Sequence, residues 1–202
     1  IEFHYAGNIL EQLQYDSIYH EHLCYFSIKT IEYLLKQYNL KSFHIDLSPI
    51  SGGAYIIYFA KEEKNLLSDN YKKLADKEKH LLINELSSWK SFAMRCGKHK
   101  QKSRQFVDAF SEKTIVGFGA SARSSTYLNF CGFTSSDINA IIDNNKIKQG
   151  LYTPGSSIPI VPFEDGLALR PGLIFLLAWN FKDEIIKACR EKGYRGNFLI
   201  PF

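Results

Sequence analysis

Apolar residues recur along the chain at two periods, and the predicted elements change where the period changes. Residues Ile1 to Tyr5 form a short run that predicts the end of a strand, and residues Asn8 to Gln14 predict a turn with a short helix. Between Ser27 and Tyr38 the apolar positions Ile28, Ile31, Leu34 and Leu35 share one helical face behind a serine suited to cap it. Two β-rich runs follow between Lys41 and Ala60, about the sequence SPISGG. A strand, helix, strand, strand order suits the closing part of an α/β sheet, so the chain reads as part of a longer polypeptide.

The texture then changes. Residues Lys61 to Lys113 are rich in Lys, Glu, Leu and Gln, hold no proline, and place Leu74, Leu81, Leu82, Leu86, Trp89 and Phe92 at helical spacing. This predicts one long helix and then a second. A new unit opens with a strand at Thr114 to Phe118, a helix at Ala122 to Phe130 and a strand at Asn139 to Ile142. After a passage punctuated by Pro154, Gly155, Pro159 and Pro162 come a strand at Leu173 to Ala178, a helix at Phe181 to Lys192 and a strand at Phe198 to Pro201. Strands alternating with helices predict an α/β fold with a doubly wound parallel sheet.

Composition narrows the class. No apolar run approaches the roughly 20 residues that span a bilayer, so a membrane protein is not expected. The net charge of +4 is mild, and the one basic run, GKHKQKSR at Gly97 to Arg104, has no interleaved aromatics. A solvated helix explains it better than a nucleic-acid surface. Cys24, Cys96, Cys131 and Cys189 lie far apart without a CxxC pair, which argues against a thiolate metal site and for reduced, cytoplasmic cysteines. No signal peptide is visible.

Four segments could carry chemistry. VGFGASA sets Gly117, Gly119 and Ala122 in the G-x-G-x-x-G/A pattern, after a predicted strand and before a predicted helix, with Asp143 at the end of the next strand. Glycines let the turn tighten and let backbone approach phosphate, and Ser121 and Arg123 beside the loop suit an anion. A turn needed only to pass from strand to helix is the other reading. In AWNFKDEI, Asn180 with Asp183 resembles a capping box and stands where open α/β sheets bind ligands. The loop DNNKIKQGLYTPGSSIPI is long and carries turn residues, as functional loops do, though packing against a neighbouring domain would also explain it.

The stretch YDSIYHEHLCYFS, Tyr15 to Ser27, concentrates His20, Glu21 and His22 with Tyr19 and Tyr25. Two histidines two residues apart fall on opposite sides of a strand or about 200° apart on a helix, so they do not suit one metal ion. His22 with Glu21 and Tyr19 could form a proton-transfer group, because imidazole titrates near neutrality and a neighbouring carboxylate or phenol can orient it. A structural histidine fits as well.

Taken in order, YDSIYHEHLCYFS, PISGGAYIIYF, VGFGASARSSTYLNFCG, IIDNNKIKQGLYTPGSSIPI and LLAWNFKDEI resemble the sugar C-methyltransferases that act on nucleotide-linked keto-deoxysugars. The resemblance covers nearly the whole chain. It implies that residues 1–62 end a class I methyltransferase-type domain, that 63–112 form a helical linker, and that 113–202 form a Rossmann-like C-terminal domain. It further implies S-adenosylmethionine as cofactor, bound mostly upstream, and zinc only in a region outside this chain. By the same resemblance His22 is the general base with Glu21 and Tyr19 beside it. His20, Gly117, Gly119, Ser121, Arg123 and Asn180 then serve the nucleotide-linked sugar. The alternative is a non-catalytic Rossmann-like module binding NAD or a nucleoside diphosphate. Oligomeric state is left open.

Overall fold

The computed structural model describes residues 1–48, 53–61 and 66–202. Most of SPISGG, at residues 49–52, about which the two β-rich runs are expected, and the domain boundary expected at 62 lie outside them. The chain divides into two units: the first holds Ile1–Gln14 and His20–Arg95, the second Tyr15–Tyr19 and Cys96–Phe202.

The first unit is built on a three-stranded antiparallel sheet. Strand β1 (Glu2–His4) and strand β2 (Lys41–Ser48) both pair with β3 (Ala54–Ala60), which lies between them. Helix α1 (Ala6–Gln12) follows β1 directly and ends where Leu13 turns left-handed. Helix α2 (Ile28–Lys36) starts as its sequence predicts: the Ser27 hydroxyl accepts from the Thr30 N–H, and the Thr30 hydroxyl accepts from the Ser27 N–H. Its buried stripe is Ile28, Ile31 and Leu35, whereas Leu34, expected on that face, is exposed.

Two helices do follow, but the first is the shorter. Helix α3 (Asp69–Leu81) stops because Leu82 adopts φ +49°, and helix α4 (Leu86–Asp108) begins after a tight turn. The apolar run through Leu81, Leu82 and Leu86 imitates a continuous stripe, yet Leu82 and Leu86 are exposed and form the break. Glu78, buried near the end of α3, accepts from Tyr5 Oη (3.0 Å), Ile28 N (2.7 Å) and Lys29 N (3.0 Å). A carboxylate at these orphan N–H groups ties α3 and Tyr5, the residue after β1, to the start of α2.

The second unit is a five-stranded parallel sheet in the order β6-β5-β4-β7-β8. Its strands are β4 (Ile115–Phe118), β5 (Ala140–Ile142), β6 (Ile160–Val161), β7 (Leu173–Leu176) and β8 (Asn197–Leu199). Every residue of β4, β5 and β7 is buried, which is how strands covered on both faces read. One face carries Val116, Phe118, Ile142, Ile174 and Leu176 against Ile185 and Cys189 of helix α7 (Lys182–Glu191) and against Phe163 and Leu167 of helix α6 (Phe163–Ala168). Helix α5 (Ala122–Cys131) sets the Tyr127 ring against Phe175 and Phe133. Each such side chain removed from water contributes roughly 1.5–3 kcal/mol. Burial also pushes the Cys189 thiol up to about 11, so it is a protonated core group at neutral pH.

The parallel, doubly wound sheet is thus as the alternation predicts. Strand β6 and helix α6 have no counterpart in the sequence reading, since Pro159 and Pro162 there suggest only loop. The passage between β5 and β6 is ordered from within: Thr153 Oγ1 bonds Ser156 Oγ (2.6 Å) and accepts from Ile158 N (2.9 Å). Its Gly155, at φ +76°, lies so close to Asn129 of α5 that a Cβ would fall 2.2 Å from Oδ1. The basic run of Gly97 to Arg104 is helical within α4, where Arg104 packs 5.0 Å over Phe133 and pairs with Asp137. No helix among the described residues is long and apolar enough to cross a membrane.

Candidate functional site

Strand order reverses between β4 and β7, and there the crevice outside the carboxyl ends of the strands opens. Gly119 and Ala178 meet at this point. Gly119 has φ +99°, and a Cβ on it would lie 2.5 Å from the Ala178 Cβ, so glycine is required by conformation and by close approach alike. Gly117 differs. It is a strand residue whose Cβ would press on Ile141 and Leu177 at 3.0 Å, so packing between sheet and neighbours explains it.

The N–H groups of the glycine loop are bonded inside the chain. Gly119 N donates to Ile142 O (2.8 Å), and Ala120 N donates to Asp143 Oδ2 (2.8 Å). Asp143, in position for a ribose by its spacing, also accepts from Asn145 N (2.8 Å). Lys148 lies beside it, with Nζ 3.6 Å from the carboxylate and donating to Ala120 O at 2.8 Å. Ser121 is the N-cap of α5: its hydroxyl accepts from Ser124 N, and the Ser124 hydroxyl accepts from Ser121 N. A cleft of about 390 Å³ adjoins the loop, lined among others by Phe118, Asp143, Phe163, Phe181 and Glu184.

Asn180 is exposed in a short 3-10 turn, Trp179–Phe181, at the carboxyl end of β7. The capping box expected of Asn180 and Asp183 does not form. The N-cap of α7 is Phe181, which has no side-chain cap, because the intervening turn shifts the helix start by one residue.

Arg123, in the first turn of α5, gives Nε and Nη2 to the two carboxylate oxygens of Asp16 at 2.9 and 3.0 Å. Asp16 is 1% exposed and accepts a third bond from Trp179 Nε1 at 2.9 Å. The guanidinium also lies 4.8 Å over the Trp179 ring. Asp16 sits in the 3-10 turn Tyr15–Ser17, four residues before His20. Sequence reasoning passed over it. The available signal was an acid set among apolar and aromatic residues in YDSIY, which a buried carboxylate needs a cation to tolerate.

Of the other expected residues, Tyr19 is half-buried and belongs to the second unit, while His20, Glu21 and His22 belong to the first. They occupy a turn and an irregular segment rather than a helix or strand. His20 and Glu21 are exposed and His22 is half-buried. The His22 ring lies edge-on to His4 at 6.0 Å and to Tyr25 at 6.2 Å. His4, which no motif singled out, is oriented by a 2.8 Å bond between Nε2 and Gln14 Oε1. Among the described residues no group of three or more His, Cys, Asp or Glu could hold a metal ion.

A five-stranded parallel sheet with helices on its faces and a glycine turn at its reversal point defines a Rossmann-like α/β domain. The family model described as the C-methyltransferase C-terminal domain matches residues 49–202, and the chain belongs to that family. It is 30% identical over 207 residues to C-methyltransferase NovU of Streptomyces niveus, across 100% of this chain and 49% of that protein. The chain therefore spans about half the length of this curated relative.

Proposed function

We propose that this chain is the C-terminal portion of an S-adenosylmethionine-dependent C-methyltransferase acting on the carbon next to the ketone of a nucleotide-linked deoxysugar. The family match over residues 49–202 carries the methyltransferase part of this reading. The sugar rests on the Tyr-His-Glu-His segment. Residues 1–62 would close the methyltransferase domain, 63–112 link it onward, and 113–202 form the Rossmann-like domain, in a cytoplasmic enzyme.

In this reading His22 removes the proton α to the ketone, with Glu21 and Tyr19 fixing its ring and His20 at the sugar. A carbon acid needs a base within hydrogen-bond reach and stabilisation of the enolate oxygen. A half-buried imidazole edge-on to His4 and Tyr25 suits the first need, because packing restricts the ring. Among the described residues, no glycine-rich loop follows β1. Strand β1 passes into α1 through Tyr5 and Ala6, and its one glycine, Gly7, packs under the Tyr5 ring instead of forming a glycine-rich loop. The methyl donor's site is therefore assigned mostly to upstream parts of the enzyme.

The nucleotide end is proposed at the carboxyl edge of the parallel sheet, near Gly117, Gly119, Ser121 and Asn180. A diphosphate there would compete with Asp143 for the Ala120 N–H, with Lys148 as the adjacent cation.

The experiment is methyl transfer by the full-length protein from labelled S-adenosylmethionine to a nucleotide 4-keto-deoxysugar. Label on carbon is the expected result, and label only on oxygen or nitrogen would sink the reading. His22→Ala should lower turnover roughly 10²- to 10⁴-fold and slow exchange of the α-proton with deuterated solvent in parallel. Tight NAD binding by calorimetry, with none for nucleoside diphosphates, would favour the module without chemistry.

A further inference from the structure

Arg123 was expected at an anion, yet its geometry serves something else. Two of its nitrogens lie on the Asp16 carboxylate at 2.9 and 3.0 Å, its plane lies over the Trp179 ring, and Trp179 donates to the same carboxylate at 2.9 Å. The three groups come from separate places in the chain: the 15–17 turn, the first turn of α5 after the glycine loop, and the turn after β7. Asp16 is thus held from both sides of the sheet's reversal point. Both charged side chains are largely buried, at 13% and 2% exposure, so solvent screens the pair little.

A bidentate pair capped by an indole donor leaves Asp16 few ways to move. It lies three residues before Tyr19 and six before His22, a span with no regular helix or strand of its own. Tyr15 adds apolar anchorage on the same turn, its ring lying 4.7 Å from Phe130 and 5.3 Å from Phe202. A segment bearing Tyr19, a proposed neighbour of the base, needs a fixed root, because misplacement of a reacting group by about 1 Å can cost on the order of 10² in rate.

We propose that Asp16, Arg123 and Trp179 form a buried clamp that positions the segment 15–19, and with it Tyr19, so that Arg123 is a positioning residue and not a ligand of the substrate's diphosphate. This rests on the proposed methyltransferase reading for its kinetic consequence, but the clamp itself is a property of the second unit.

The test compares Asp16→Ala, Arg123→Ala and the double variant in the full-length protein, by steady-state kinetics on the nucleotide keto-sugar and by hydrogen exchange at the amides of residues 17–19. Each single variant should lower kcat roughly 10- to 100-fold with KM nearly unchanged, keep the shape of the pH profile while lowering its height, and expose the 17–19 amides. The double variant should fall little further than either single one, as groups acting as a unit do. Where an alanine variant melts below the assay temperature, Trp179→Phe, which removes only the Nε1–H donor, should give the same pattern at a few-fold scale. A KM raised tenfold or more by Arg123→Ala with kcat intact, together with tighter substrate binding in Asp16→Ala, would overturn the proposal in favour of an anion ligand. If the wild-type protein transfers no methyl group, the methyltransferase reading fails separately. Exchange at 17–19 then decides the clamp, which falls if Asp16→Ala leaves those amides protected.

Discussion

Among the described residues, each unit holds one buried carboxylate, Glu78 in the first and Asp16 in the second, and the two are satisfied by different means. Glu78 in the first unit is 5% exposed and is met by neutral donors: a phenol, two N–H groups at the start of α2, and Asn84 Nδ2 at 3.4 Å. Asp16 in the second unit is 1% exposed and is met by a guanidinium and an indole. The first arrangement spreads the charge over a helix terminus, so removing one donor leaves several. The second concentrates compensation in one cation, so removing it strands a charge. The lesson is that equal burial does not mean equal fragility. Even the protonation of Tyr5 follows this pattern, since burial first and the Glu78 charge next push its phenol far above the ordinary range.

The sharpest way to break the comparison is Arg123→Ala, which leaves Asp16 buried without its cation and should destabilise by about 3–5 kcal/mol. Urea unfolding of the full-length protein would measure it, and a loss below about 1 kcal/mol would show that water or another donor replaces the guanidinium. Next comes Glu78→Gln. It keeps the shape but loses the charge at the α2 terminus, and it should cost roughly 1–3 kcal/mol by the same measurement. A cost equal to that of Arg123→Ala would erase the distinction drawn here. Ser27→Ala removes the neighbouring cap and should cost about 1 kcal/mol, less if Glu78 already satisfies that helix start.

The smallest expected effect is a pH dependence in the second unit. His99 bonds Pro201 O through Nε2 at 2.6 Å and Tyr15 Oη through Nδ1 at 2.8 Å, and burial lowers its pKa below 6.5. A carbonyl accepts only, so Nε2 carries the proton and Nδ1 accepts from the phenol. The folded state therefore disfavours the charged ring. Its stabilising effect is complete above the unfolded value and is lost as pH falls below it. Stability measured at about pH 7.5 and about pH 5 should differ by less in His99→Gln than in the wild-type protein. An identical difference in the two proteins would remove His99 as the cause.

How far the sequence could be read depended on whether the cause was local. Ser27 announces α2 because a cap is made by residues three apart, whereas Ser121, read as suiting an anion, proved to be the cap of α5. The apolar runs of β4, β5 and β7 announce a doubly covered sheet for the same reason. Strand β6 was illegible, since two residues between prolines acquire their pairing only from β5. The break at Leu82 was illegible because leucine at φ +49° violates its own preference and is held there by the surrounding turn. At the candidate site, the Tyr19 to His22 cluster and the glycine pattern stood out as motifs, but the neighbours His4, Asp16 and Trp179 did not.

By itself, then, the sequence determined the order and type of most elements, the parallel sheet, and the family resemblance, because periodicity, capping and motif order are properties of near neighbours. The tertiary structure alone decided which donors each side chain meets. Gly119 and Asp143 are 24 positions apart and Asp16 and Arg123 are 107, and at such separations only the fold determines whether a guanidinium faces a phosphate or a buried carboxylate.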